Sequence, residues 1–119
     1  MAEAGALDGL RVLDLTRILA GPLCTQTLGD MGADVIKVEP PGTGDDTRTW
    51  GPPFAEKESA YFLGLNRNKR SITLNMAVKP GQDILARLIV ECDVLVENFK
   101  VGTLEKWGFG NDWLEKHAP

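Results

Sequence analysis

The stretch Leu13-Asp14-Leu15-Thr16-Arg17-Ile18-Leu19-Ala20-Gly21-Pro22 constrains this chain more than any other. An aliphatic run stops at Thr16, and a Gly-Pro pair soon afterwards opens an amphipathic segment. Gly21 can supply the backbone freedom of a turn, and Pro22 suits a first helical position, where a missing N–H costs nothing. The pattern predicts a strand, a short loop and a helix start, the place where an open α/β sheet offers backbone donors to a ligand. One permanent cation, Arg17, stands in the loop ahead of apolar residues. That suits a ligand with both a charge and an apolar arm.

The rest of the chain extends the same pattern. Residues 11–15 read as a strand, 22–31 as a helix stopped by Gly32, and 34–38 as a second strand. A right-handed crossover of this kind favours a parallel sheet. Residues 39–57, rich in Pro and Gly, read as a long irregular stretch, and an ordered loop of that length usually has work to do. Residues 59–65 fit a short helix capped by Ser59, and 71–76 alternate as a half-buried strand would. Residues 80–91 form a helix opened by Pro80, with Asp83 and Arg87 at i,i+4 spacing. A short buried strand over 93–96 and two short capped helices over 103–107 and 111–116 follow. The expectation is a Rossmann-like α/β fold: an open parallel sheet with helices on both faces, one unit over residues 1–119. Four strands make only half of a doubly wound sheet, so the chain is expected to be the N-terminal part of a larger domain.

Composition narrows the function. With 43% apolar and 25% charged residues the chain matches soluble globular domains, and its net charge of −4 argues against broad nucleic-acid binding. No run of 18 apolar residues predicts a membrane span. The start, Met-Ala-Glu-Ala-Gly-Ala, lacks the basic residues of a signal or transit peptide. A cytoplasmic location follows by default, a mitochondrial one if a leader precedes this segment. Cys24 and Cys92 read as buried thiols, Cys24 sharing an apolar helical spacing with Leu28 and Met31. His117 is the only histidine, so neither a zinc site nor a Ser-His triad is expected.

Several motifs carry two readings. Asn66-Arg67-Asn68-Lys69-Arg70-Ser71 packs three cations ahead of a strand, as a phosphate-facing patch or, more often for a charge run, a solvated loop. Pro41-Gly42-Thr43-Gly44-Asp45-Asp46-Thr47-Arg48 lacks both the dinucleotide and the P-loop fingerprints, which disfavours NAD and ATP. Asp45 and Asp46 could pair for acid–base work, but turn-capping with Arg48 as a local partner is the commoner arrangement. Asn98 and Phe99 emerge at the carboxyl end of the last strand, where a ring and an amide suit a flat heteroaromatic base. A loop Phe packed on the core is the equal alternative. Lys106 can reach the same mouth or simply coat its helix. Trp50, Trp107 and Trp113 read as packing anchors.

These segments, in this order, resemble the class III CoA-transferase family, which also includes the α-methylacyl-CoA racemases. The resemblance runs from Leu7 to Pro119 through Leu7-Asp8-Gly9-Leu10-Arg11-Val12-Leu13-Asp14, Ala20-Gly21-Pro22 and Gly32-Ala33-Asp34-Val35-Ile36-Lys37-Val38-Glu39. It continues through Gly44-Asp45-Asp46-Thr47-Arg48, Asn66-Arg67-Asn68-Lys69-Arg70-Ser71-Ile72 and Asp93-Val94-Leu95-Val96-Glu97-Asn98-Phe99. The Asp-Asp-Thr-Arg-Thr-Trp-Gly-Pro-Pro-Phe run is similar to members acting on dicarboxylates, of the succinyl-CoA:glutarate type.

The resemblance implies a large domain that binds coenzyme A as substrate, in subunits interlocked as a homodimer, with no metal and no redox or covalently bound cofactor. It places CoA contacts on Leu19, Ala20, Leu74, Asn75, Met76, Asn98, Phe99 and Lys106. Pro40 and Ala77 stand where some members carry a phosphate-binding arginine and a lysine; Arg48, Arg67 or Lys69 would have to compensate. The implied chemistry is attack of an aspartate carboxylate on an acyl-CoA, then transfer of CoA to a carboxylic acid through an aspartyl-CoA thioester. None of Asp14, Asp30, Asp34, Asp45, Asp46, Asp83, Asp93 or Asp112 matches that aspartate, which the resemblance places beyond Pro119. Arg17 is the candidate for steering an acidic substrate. A CoA-ester racemase on the same fold and a catalytically inert binding module are the competing readings.

Overall fold

The computed structural model describes residues 3–119. Strand β1 (Arg11–Asp14) leads to helix α1 (Ala20–Asp30) and strand β2 (Asp34–Glu39). A 3-10 turn (Asp46–Thr49) and a small antiparallel hairpin, β3 (Phe54–Ala55) with β4 (Glu58–Ser59), replace the expected irregular stretch. Helix α2 (Ala60–Leu65), strand β5 (Lys69–Thr73), helix α3 (Lys79–Val90), strand β6 (Val94–Val96) and helices α4 (Thr103–Lys106) and α5 (Asn111–His117) complete the chain.

The sheet runs β5-β2-β1-β6 and every pairing in it is parallel. Successive side chains of a strand point to opposite faces, so each strand divides its residues between two layers. Leu13, Leu15, Val38, Leu74 and Met76 pack with Leu85 and Ile89 of α3 and with Phe109. Val12, Val35 and Ala33 pack on the other face with Leu28 of α1. Helices on both faces, as expected, follow from that alternation.

The structure corrects several local expectations. Strand β5 begins at Lys69, because its cations meet carboxylates on other strands of the sheet: Lys69 pairs with Asp14 of β1 and Arg70 with Asp34 of β2. It ends at Thr73; Leu74 still donates to the Glu39 carbonyl, and the chain then turns at Asn75, whose side chain accepts from the Ala77 N–H. Strand β6 lies at the sheet edge and is partly exposed, not buried. Asp83 pairs with Lys79 on its own helix instead of Arg87.

Helix α1 turns Thr25 and Gln26 inward, because the sheet beneath it is polar at that end. Cys24 therefore faces solvent rather than the core, while Cys92 is half-buried. Gly21 lies within α1 and not in a turn; a Cβ there would sit 2.3 Å from Thr16 Cβ, so its lack of a side chain permits a close approach. Ser59 caps α2 as expected, accepting from the Phe62 N–H at 3.3 Å.

Candidate functional site

The chain winds from β1 out to β2 and β5, then crosses back to lay β6 on the other side of β1. The strand order reverses between β1 and β6, and loops leaving the carboxyl ends diverge at such a point to open a crevice. A cavity of about 230 Å³ lies there. Leu15, Val38, Leu74, Met76, Phe99 and Trp107 supply its apolar walls, with Arg17, Asp46 and Asn75 among its polar residues.

This cavity brings together Arg17, Leu74, Asn75, Met76 and Phe99 from three separate parts of the chain. The turn holding Asn75 fits only because Gly81 follows it: a Cβ at Gly81 would fall 1.7 Å from the Asn75 carbonyl oxygen. The Phe99 ring meets Trp107 edge-on, with centroids 5.2 Å apart. Trp107 thus walls the cavity as well as anchoring its helix, and nothing in the sequence pattern separated it from the other two tryptophans.

Leu19, Ala20, Asn98 and Lys106 do not line the cavity. Leu19 is half exposed just ahead of α1, which starts without a side-chain cap and without an acidic residue in its first turn. The Asn98 amide is turned onto the backbone of Arg17, accepting from its N–H at 3.1 Å and donating to its carbonyl at 2.8 Å. Lys106 is exposed at the end of α4, next to Trp107. A second, larger depression of about 380 Å³ follows the open edge of β6 against α4 and α5; of the expected site residues it includes only Phe99.

On the α1 side of the sheet lies a buried charged layer that the sequence reading did not foresee; Lys37, Glu39 and Asp45 of this layer also border the cavity. Lys37 Nζ donates to Asp45 at 2.9 Å and to the Thr16 carbonyl at 2.8 Å, with both charged side chains 1% exposed. Asp14 accepts from Thr25 Oγ1 at 2.6 Å and Lys69 Nζ at 3.0 Å, and Lys69 spends its other donors on the Pro22 carbonyl and Asn66. Glu39 accepts two 2.7 Å bonds from Arg48, one of 2.6 Å from Ser71 and one of 2.7 Å from the Asp45 N–H. Three carboxylates face three cations, and among the described residues no buried side-chain polar atom lacks a partner.

The layer keeps its charges by mutual support. Burial alone would raise the Glu39 pKa, but the Arg48, Ser71 and Asp45 hydrogen bonds outweigh it and bring it down to about 2. Asp45 is held below the usual carboxylate range in the same way, against burial, by Thr47 and Lys37. Burial pulls Lys69 down, partly offset by Asp14. Asp45 does cap the 3-10 turn, accepting from the Thr47 N–H at 3.0 Å.

The compensating cations are therefore spoken for. Arg48 is locked on Glu39 and covers the Phe62 ring at 3.8 Å, Lys69 is buried on Asp14, and Arg67 grips Asp30 at 2.6 Å. The cations of residues 66–71, which carried the two readings of a phosphate-facing patch or a solvated loop, tie the start of β5 to carboxylates of α1, β1 and β2. Arg17 forms none of the ion pairs found among the described residues and stands exposed at the cavity mouth. The arrangement suits binding of a flat apolar group with an anion nearby; its buried carboxylates are all engaged and none is free to act as a nucleophile.

The chain is 56% identical over 113 residues to the mouse (Mus musculus) succinyl-CoA:glutarate CoA-transferase, a match covering 95% of this chain and 26% of that protein. It is 52% identical over 114 residues to the formyl-CoA:oxalate CoA-transferase of Rhodopseudomonas palustris, covering 96% of this chain and 27% of the relative. The crystal structure of a CaiB/BaiF family protein from Brucella suis superposes with a TM-score of 0.91 at 52% identity, over 98% of this chain and 32% of that one. The chain thus spans about a quarter of the length of these curated relatives. Residues 7–119 match the model of CoA-transferase family III, and the chain belongs to that family.

Proposed function

We propose that these 119 residues supply coenzyme A-binding elements of an enzyme that moves CoA from an acyl-CoA to a free carboxylic acid. The observation that carries the reading is the switch-point cavity, where Arg17, Leu74, Asn75, Met76 and Phe99 converge. Its apolar walls and the paired rings of Phe99 and Trp107 suit a flat heteroaromatic group, and Arg17 offers its cation to an anionic partner. Leu19, Ala20 and Lys106 would serve as outer contacts, and Asn98 acts through the Arg17 backbone rather than on the ligand directly.

The acids named for the relatives differ, glutarate in one and oxalate in another. We assign this chain a dicarboxylate acceptor, with Arg17 steering its second carboxylate. The nucleophilic aspartate of the aspartyl-CoA route is assigned to a position outside these residues, as the family resemblance implies; Asp14 and Asp45 are consumed by their cations. Assembly as a homodimer is part of the same proposal.

Titration calorimetry of the chain with CoA tests the reading. Saturable binding is expected, weakened about tenfold by Phe99→Ala through loss of a buried ring contact and less by Lys106→Ala. A folded chain that takes up no CoA, or binding indifferent to Phe99, would remove the site from this cavity.

A further inference from the structure

Residues 16–18 belong to no helix or strand, yet side chains from distant parts of the chain hold each of them. Lys37 Nζ donates to the Thr16 carbonyl at 2.8 Å. The Asn98 amide takes both the N–H and the carbonyl of Arg17. The Ile18 N–H faces both oxygens of Asp45 at 3.3 Å, and Asp45 is itself bonded to Lys37. Between them, Lys37 and Asp45 grip the residues on either side of Arg17.

The loop they grip is under strain. Ile18 has φ 74°, a conformation that a β-branched residue adopts only where its surroundings impose it. A stability role alone accounts poorly for the pair. Buried ion pairs add little over well-packed apolar residues, and Lys37 occupies a strand position flanked by Ile36 and Val38. Its remaining hydrogen bond goes to loop backbone, as do the bonds of Asp45 to the Ile18 N–H. The strained shape leaves the Arg17 side chain at the cavity mouth without an ion-pair partner among the described residues, while its backbone is fixed at both ends.

We propose that Lys37 and Asp45 are positioning residues, a buried clamp that holds residues 16–18 in their strained form and so presents Arg17 at the mouth of the cavity. Asn98 is the second jaw of that clamp. What Arg17 meets there rests on the CoA-site reading; the clamp itself does not.

Amide hydrogen exchange on the ligand-free chain, read residue by residue by NMR, is the first test. The Arg17 and Ile18 amides are expected to exchange about a hundredfold slower than in an unstructured peptide, although they lie in a loop. Exchange at the unstructured rate would overturn the clamp. Asp45→Asn is expected to speed exchange at Arg17 and Ile18 about tenfold while Leu13 and Val35 in the sheet keep their protection. Lys37→Gln should give the same local pattern, and it decides the matter alongside the unmutated chain if Asp45→Asn does not fold. Equal loss across the sheet would make the pair a plain stability element and sink the proposal.

A double-substitution cycle on CoA affinity then reads the positioning role. Asp45→Asn is expected to weaken binding about tenfold in the unmutated background and to add little once Arg17→Ala is present. Independent, additive losses would show that Asp45 does not act through Arg17. An unmutated chain that fails to bind CoA defeats the functional reading, and the exchange pattern still judges the clamp.

Discussion

The two faces of the sheet are built from the same strands and do different work. On the α3 side, Leu13, Leu15, Val38, Leu85 and Ile89 form a hydrocarbon core whose stabilisation is non-directional and scales with buried area. On the α1 side, the residues next to those same positions are Asp14, Lys37 and Glu39, all buried and all charged. Burying ions costs several kcal/mol each unless they are paired and fully hydrogen-bonded, roughly what a good apolar contact would contribute in their place. What the charged face supplies is direction: each bond ends on a particular carbonyl, amide or guanidinium near the carboxyl ends of β1 and β2. One face holds the fold together and the other aims its loops.

If that division is right, the charged face should be the less forgiving to single substitution. Lys69→Met leaves the Asp14 carboxylate buried without its cation and is expected to cost about 4 kcal/mol, measured as a drop in the urea midpoint. Leu85→Ala, fully buried on the other face, should cost about 3 kcal/mol and leave exchange in residues 16–18 no more affected than in the rest of the chain. A Leu85 substitution that released the loop selectively would break the comparison.

Acid separates the faces without mutation. The Glu39 carboxyl drops from its ordinary 4.5 to about 2 in the fold, so the unfolded chain takes up a proton first as pH falls. Its contribution is fully present above about pH 4.5 and is lost as pH falls toward 2, on the order of 3 kcal/mol in all. Urea titrations between pH 7 and pH 3 should show that slope, and Arg48→Met should flatten it. The smallest expected effect is at the hairpin end: Ser59→Ala removes the α2 cap and its bond to the Trp50 carbonyl, about 1 kcal/mol, with no change in CoA affinity.

Much of the fold was legible in residue order. Gly32 stopping α1, Pro80 opening α3 and Ser59 capping α2 are local devices, decided within a few residues of where they act. The crevice was legible for the same reason, since a strand-loop-helix pattern repeated in a parallel sheet puts residues 16–18 and 97–99 at carboxyl ends. The exposed Cys24 and the edge position of β6 were misread because periodicity reports which residues share a side, not what lies opposite it. Helix α1 packs Thr25 and Gln26 against a polar patch that exists only once Asp14 and Lys69 have met.

The sequence by itself determined a parallel α/β sheet, its approximate helices and strands, and the loops that face a ligand, because propensity, caps and hydrophobic period act over short range. Tertiary structure alone decided which charges are free. Lys69 finds Asp14 across 55 positions, Asn98 finds Arg17 across 81, and Lys37 finds the Thr16 carbonyl across 21. Those partners are set by strand order and register, which bring distant side chains to one face. The cations that looked available for phosphate, Arg48, Arg67 and Lys69, are bound by neighbours only the folded sheet provides, and Arg17 is left open because its backbone, not its side chain, is what the fold holds.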